Sequence, residues 1–154
     1  MPVPKNEFTR LHTRITEIRR YASQLDPGDP VTSELAKYLC VLTSGLVEAK
    51  LRDVISRLVS NSRPSQSIGN AANAFAQTIQ NPKFDRLKSI VKVISPAVES
   101  RLNAMGAETS AALNSIMANR HLISHGRDAQ LSLKRIESYI DNLDPLFAEL
   151  DRIR

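Results

Sequence analysis

The sequence has no tryptophan, and aromatic residues fill only 5% of its 154 positions. A core built from it must be aliphatic, assembled from Leu, Ile, Val and Ala. It has one cysteine, Cys40, so no internal disulfide can form. Cys40 lies in "KYLCVL" and reads as a small buried hydrophobe, and a reducing cytoplasm is the expected compartment. No apolar run approaches the ~20 residues that cross a bilayer. The opening "MPVPKNEFTR" has no apolar signal-peptide core, so no membrane role is expected. Gly-rich phosphate loops, a Gly-x-Ser-x-Gly elbow and a cysteine pair are all missing, which removes the common nucleotide-binding and hydrolase motifs. There is no internal repeat, no low-complexity tract and no strand-like alternation of useful length.

What is present is ordinary in amount and unusual in kind. Hydrophobic residues make up 42% and charged residues 24%, as in a soluble globular protein. A chain of this length buries roughly 70% of its unfolded surface. The expectation is one domain over residues 1–154, with an N-terminal helix and linker (1–29) and a core bundle (30–154). The formal charge is +5, and arginine outnumbers lysine fourteen to seven. Guanidinium forks suit phosphate oxygens, so the balance admits a nucleic-acid partner.

The apolar pattern is helical nearly throughout. Phe8, Leu11, Ile15, Ile18, Ala22 and Leu25 recur at steps of three and four, giving a first helix to about Leu25. "DPGDP" breaks it; Asp29 caps the next helix with Pro30 at its first position. That helix runs to about Asn61, with a bend or change of packing partner expected near Gly45. "NSRPSQSIGN" reads as a loop, followed by short helices through Phe75 and from Asn81-Pro82. Ser95-Pro96 kinks or restarts the chain toward Leu102. Thr109 or Ser110 is the expected cap of a helix that Gly126 closes in a left-handed conformation. A last helix runs from about Ser132, with Pro145 as a kink. The fold class is all-α, an up-and-down bundle of five or six helices.

One stretch, "NRHLISHG" (119–126), stands apart. It holds an arginine and two of the chain's three histidines. With Leu113 at zero on a helical wheel, Arg120 falls at about −20°, between Ile116 and Met117 on the apolar face. Ser124 falls at about +20°, and His121 and His125 at about +80° and +120°. An arginine centred on an apolar stripe is paired with an acid such as Glu48, snorkels to the rim, or points into a cleft or subunit interface. His121 and His125 lack the glutamate of the zinc-protease pattern and have no third ligand, so no metal and no cofactor are expected. His12 reads as a surface residue.

The chemistry that needs only Arg and His is RNA cleavage. RNA supplies its own nucleophile, the 2′-hydroxyl; a base removes its proton and a cation neutralises the developing phosphorane. His125 and Arg120 are the residue types this asks for. The helix C-terminus favours imidazolium while Arg120 opposes it, so His125 is a candidate acid as well as base. Arg127, just past the stretch, is placed for a phosphate contact. Arg10, Arg14, Arg19 and Arg20 either guide RNA or form a solvated face interleaved with Glu7 and Glu17.

Arg120-His121-Leu122-Ile123-Ser124-His125 resembles the Rx4–6H motif of the HEPN superfamily, with a polar residue directly after the arginine. The long helix carrying "SGLVEAKLRDVISRLVS" (44–60) resembles the corresponding helix of small prokaryotic members, and the likeness covers roughly residues 30 to 150. The resemblance implies a metal-independent endoribonuclease, the toxin or effector of a toxin–antitoxin or anti-phage module. It implies an RNA substrate, a homodimer whose two motifs meet in one cleft, and an antitoxin protein as partner. It makes Arg120 and His125 catalytic and His121 supporting, with Glu48 the match for an acidic residue facing the motif. Ser124 and Asn119 complete the supporting set. Other HEPN proteins are non-catalytic modules that bind a partner protein or nucleotide, and that is the alternative.

Overall fold

A computed structural model describes residues 6–154; the first five residues of the opening stretch lie outside it. The described residues form eight α-helices and no strand, two or three more helices than the sequence pattern suggests. They are α1 (Glu7–Ala22), α2 (Pro30–Ser62), α3 (Gln66–Gln77), α4 (Phe84–Ile94), α5 (Pro96–Asn103), α6 (Ala107–Ser124), α7 (Leu133–Asp141) and α8 (Asp144–Leu150).

The extra helices come from prolines that break rather than bend. Ser95 leaves the helical region at φ −158°, and Pro96 starts α5 afresh in a position that needs no N–H. Pro145 likewise falls in the first turn of α8, so the expected kinked last helix is two helices. The expected loop over 61–70 is shorter: α3 begins at Gln66, with the Ser65 hydroxyl accepting from the Ile68 N–H. The cap of α6 is Gly106, not Thr109 or Ser110, and Thr109 is buried inside the helix.

α2 is the axis of the bundle. Asp29 accepts from the Val31 N–H at its start, as the sequence indicates. Its 33 residues run unbroken through Gly45, where Leu11 of α1 approaches to 3.7 Å of the position a Cβ would take. The helix touches α1, α3, α6, α7 and α8. Its partners change along its length: Cys40 meets α6, Glu48 meets the α3–α4 connection and Lys50 meets Asp151 beyond α8.

One cluster of buried side chains draws on all eight helices and is aliphatic apart from Phe84 and the sulfur-bearing Cys40 and Met117. Leu39, Leu51, Leu87, Leu113, Ile136 and Leu146 are wholly buried, each contributing about 1.5–3 kcal/mol of hydrophobic stabilisation. Ion pairs then fix element to element. Arg19 bonds Asp141 at 2.9 Å and approaches Glu137 at 3.9 Å, tying α1 to α7. Arg19 is therefore taken up in structure, while Arg10 and Arg20 are exposed and Arg14 sits 3.6 Å from Glu17.

Candidate active site

α6 carries the stretch singled out in the sequence, and its packing explains where each side chain goes. Leu113, Ile116 and Met117 are wholly buried. Cys40 of α2 lies against this helix, its thiol donating to the Ile116 carbonyl at 3.4 Å. The apolar stripe then thins toward the C-terminus: Asn119, Arg120, Leu122 and Ile123 are half-buried. His121, Ser124 and His125 are exposed. Arg120 thus continues the core stripe past the point where the core ends.

The turn that ends α6 is closed by backbone alone. Gly126 takes φ +65°, the left-handed conformation anticipated from the sequence. The Gly126 N–H donates to the Ile123 carbonyl at 3.0 Å, and the Arg127 N–H reaches back to Leu122 at 2.9 Å. These are the two bonds of a Schellman cap. They anchor the backbone of His125, the capping residue, and of Arg127, which is exposed just beyond it. Ser124 Oγ donates to the His121 carbonyl at 2.9 Å, and Asn119 Nδ2 donates to Ser115 at 2.8 Å. Both supporting candidates spend a donor on their own helix.

His121 and His125, one turn apart, bring their rings to 4.5 Å between centroids, edge to face at 64°. Among the described residues, no acid lies within ion-pair distance of Arg120, Arg127 or either histidine. The tip of α6 gathers two guanidinium groups and two imidazoles without an acid partner. No group of three or more His, Cys, Asp or Glu residues that would hold a metal occurs among the described residues.

Glu48 does not pair with Arg120. It is buried on α2, and its Oε1 accepts from the Asn81 N–H at 2.6 Å. Glu48 is eight residues past Cys40, about 12 Å farther along the helix axis at 1.5 Å per residue. Asn114 of α6 serves the same connection, its Oδ1 accepting from the Phe84 N–H at 2.9 Å. The ion-pair reading of Arg120 is corrected by this geometry: the acid it would need is engaged elsewhere. His12 is exposed and stacks near Phe8 at 6.1 Å, as expected of a surface residue.

The model of the RiboL-PSP-HEPN family matches residues 9–153. The chain belongs to the HEPN family. No curated protein and no solved structure matches it. Within this HEPN chain the match takes in every helix but the first two residues of α1. No helix of the described residues is long and apolar enough to cross a membrane.

One feature of the HEPN bundle escaped the sequence reading. A groove of about 960 Å³ opens between the end of α1, the first turn of α2 and the segment from Asp128 into α7. Ala22, Ala129 and Leu131 are its buried walls. The signals were present as two loops, "DPGDP" and "RDAQLS", but nothing local shows that they face each other.

Proposed function

We propose that the chain is a single HEPN domain acting as a metal-independent endoribonuclease, the toxin or effector of a toxin–antitoxin or anti-phage module. His125 takes the proton of a 2′-hydroxyl. The 2′-oxygen then attacks the adjacent phosphorus, and the bond to the 5′-oxygen breaks. The leaving oxygen takes a proton from solvent or from His121 beside it. Arg120 neutralises the charge that grows on the phosphoryl oxygens. The products are a 2′,3′-cyclic phosphate and a 5′-hydroxyl. Ser124 and Asn119 brace the last turns of α6 through their bonds to His121 and Ser115, and Arg127 contacts a neighbouring phosphate.

The observation that carries this reading is Arg120: half-buried in line with the core, without an acid partner, on the last turn that also presents two histidines. A guanidinium in that position is free to meet an anion from outside, which is what phosphoryl stabilisation requires. A second copy packed on this end of α6 would cover the stripe and bring a second motif to the same cleft. The functional unit in this reading is the homodimer, with an antitoxin protein as its antagonist and no cofactor.

The test is cleavage of single-stranded RNA in EDTA. The expected result is cleavage by wild type with cyclic-phosphate ends, and a fall of at least ~100-fold for His125→Ala, the usual range for loss of a general base. Arg120→Lys keeps the charge but loses the paired donors, and is expected to fall nearly as far as Arg120→Ala. Equal cleavage by wild type and His125→Ala, or none by either, sinks the assignment and leaves a HEPN module that binds without cutting.

A further inference from the structure

The groove opens beside the α6 tip. Asp128, on its rim, is three residues past His125, so the mouth lies within about 10 Å of that residue's backbone. That distance corresponds to about three nucleotides at ~3.4 Å each in a stacked strand. Lys134 and Arg135 project from the first turn of α7 on the groove's lining. Both are exposed, and neither makes an ion pair among the described residues.

Two acids also line the groove. Glu137 lies 3.9 Å from Arg19, and Asp128, on the rim, makes no ion pair among the described residues. Lys134 and Arg135 are the lining cations left open to an anion. The start of α7 adds donors beside them. Ser132 caps the Arg135 N–H at 3.2 Å, while the N–H groups of Leu133 and Lys134, in the first helical turn, have no intrahelical acceptor and point with the positive end of the helix dipole.

We propose that this groove, from Asp128 to Arg135, holds the backbone of the single-stranded RNA that flanks the phosphate at His125, with Lys134 and Arg135 as its phosphate contacts. The inference rests on the ribonuclease reading for the identity of the strand, and its test is separable from that reading. Lys134 and Arg135 determine how much flanking RNA is held; they do not touch the reacting atoms.

The experiment measures binding of a twelve-nucleotide single-stranded RNA to full-length protein carrying His125→Ala, across a salt series. Lys134→Glu with Arg135→Glu is expected to weaken binding at least tenfold. It is also expected to lower the slope of log affinity against log salt by about 1.4, the release of two contacts at ~0.7 each for a single strand. Lys134→Arg with Arg135→Lys keeps both charges and should restore affinity and slope. Arg86→Glu with Lys92→Glu on α4, both exposed and away from the groove, makes the same change of net charge. Unchanged affinity and slope in the Lys134/Arg135 reversal overturns the proposal, as does an equal loss with the Arg86/Lys92 reversal. All four proteins are compared by thermal melting, and a reversal variant that melts early is replaced by Lys134→Ala with Arg135→Ala. Wild-type protein that binds through the groove but does not cleave in EDTA sinks the nuclease reading alone. His125-dependent cleavage with a groove that is indifferent to Lys134 and Arg135 sinks the groove alone.

Discussion

Cys40 and Arg120 illustrate two fates of a polar atom at the same helix seam. Cys40 is wholly buried, and burial pushes its thiol up to about 12 against a smaller opposing pull from Arg120. A thiol raised from 9.0 to about 12 is neutral in the fold. Its contribution to stability is present below the unfolded value and is lost as pH rises through the window from 9.0 to about 12. Native protein at about pH 8 is therefore expected to leave Cys40 unreacted with a disulfide reagent, and denaturant should release one thiol per chain. Rapid reaction in the native state would contradict the burial. Arg120, one turn past the end of the buried stripe, is half-buried and has no acid partner among the described residues. The wheel already placed it on the apolar face, because helix geometry is local. It did not show that Glu48 is taken by Asn81, because that bond spans 33 residues of sequence.

At the level of elements, start and stop signals that act within a few residues were legible. Asp29-Pro30 opens α2, Ser132 caps α7 and Gly126 closes α6 where the sequence puts them. α3 was not legible in its first turn. Gly69 reads as a breaker at about 1 kcal/mol, yet it lies inside the helix with Val59 of α2 3.5 Å from the place of its Cβ. Packing of α3 on α2 outweighs the local cost. The connection between α3 and α4 depends on tertiary bonds in the same way. Asn81 sits at φ 49° and its N–H is held by Glu48. Glu48→Ala leaves that half-buried N–H without a partner and should cost about 1–3 kcal/mol in denaturant unfolding. Glu48→Gln keeps an acceptor oxygen and should retain most stability and cleavage. If Glu48→Gln melts normally but cleaves as poorly as His125→Ala, the carboxylate belongs to the chemistry after all.

At the scale of the whole molecule, the candidate phosphate contacts are neighbours in space. The α6 tip with Arg120, His121, His125 and Arg127 adjoins the groove bearing Lys134 and Arg135. In the proposed homodimer a two-fold axis uses the same patch on both copies, so that residue i of one meets residue j of the other. Arg120 of one protomer would then face His125 of its partner. Arg120→Ala and His125→Ala proteins, each inactive alone, should then complement when mixed. After subunit exchange at equal amounts, half the dimers are mixed and each has one intact pair, so roughly a quarter of wild-type cleavage is expected. The measurement is RNA cleavage in EDTA before and after exchange, with dimer formation followed by light scattering. Dimers that exchange freely yet recover no cleavage would place Arg120 and His125 of each site on one protomer, and the cleft between copies would then be a surface for holding RNA rather than for cutting it.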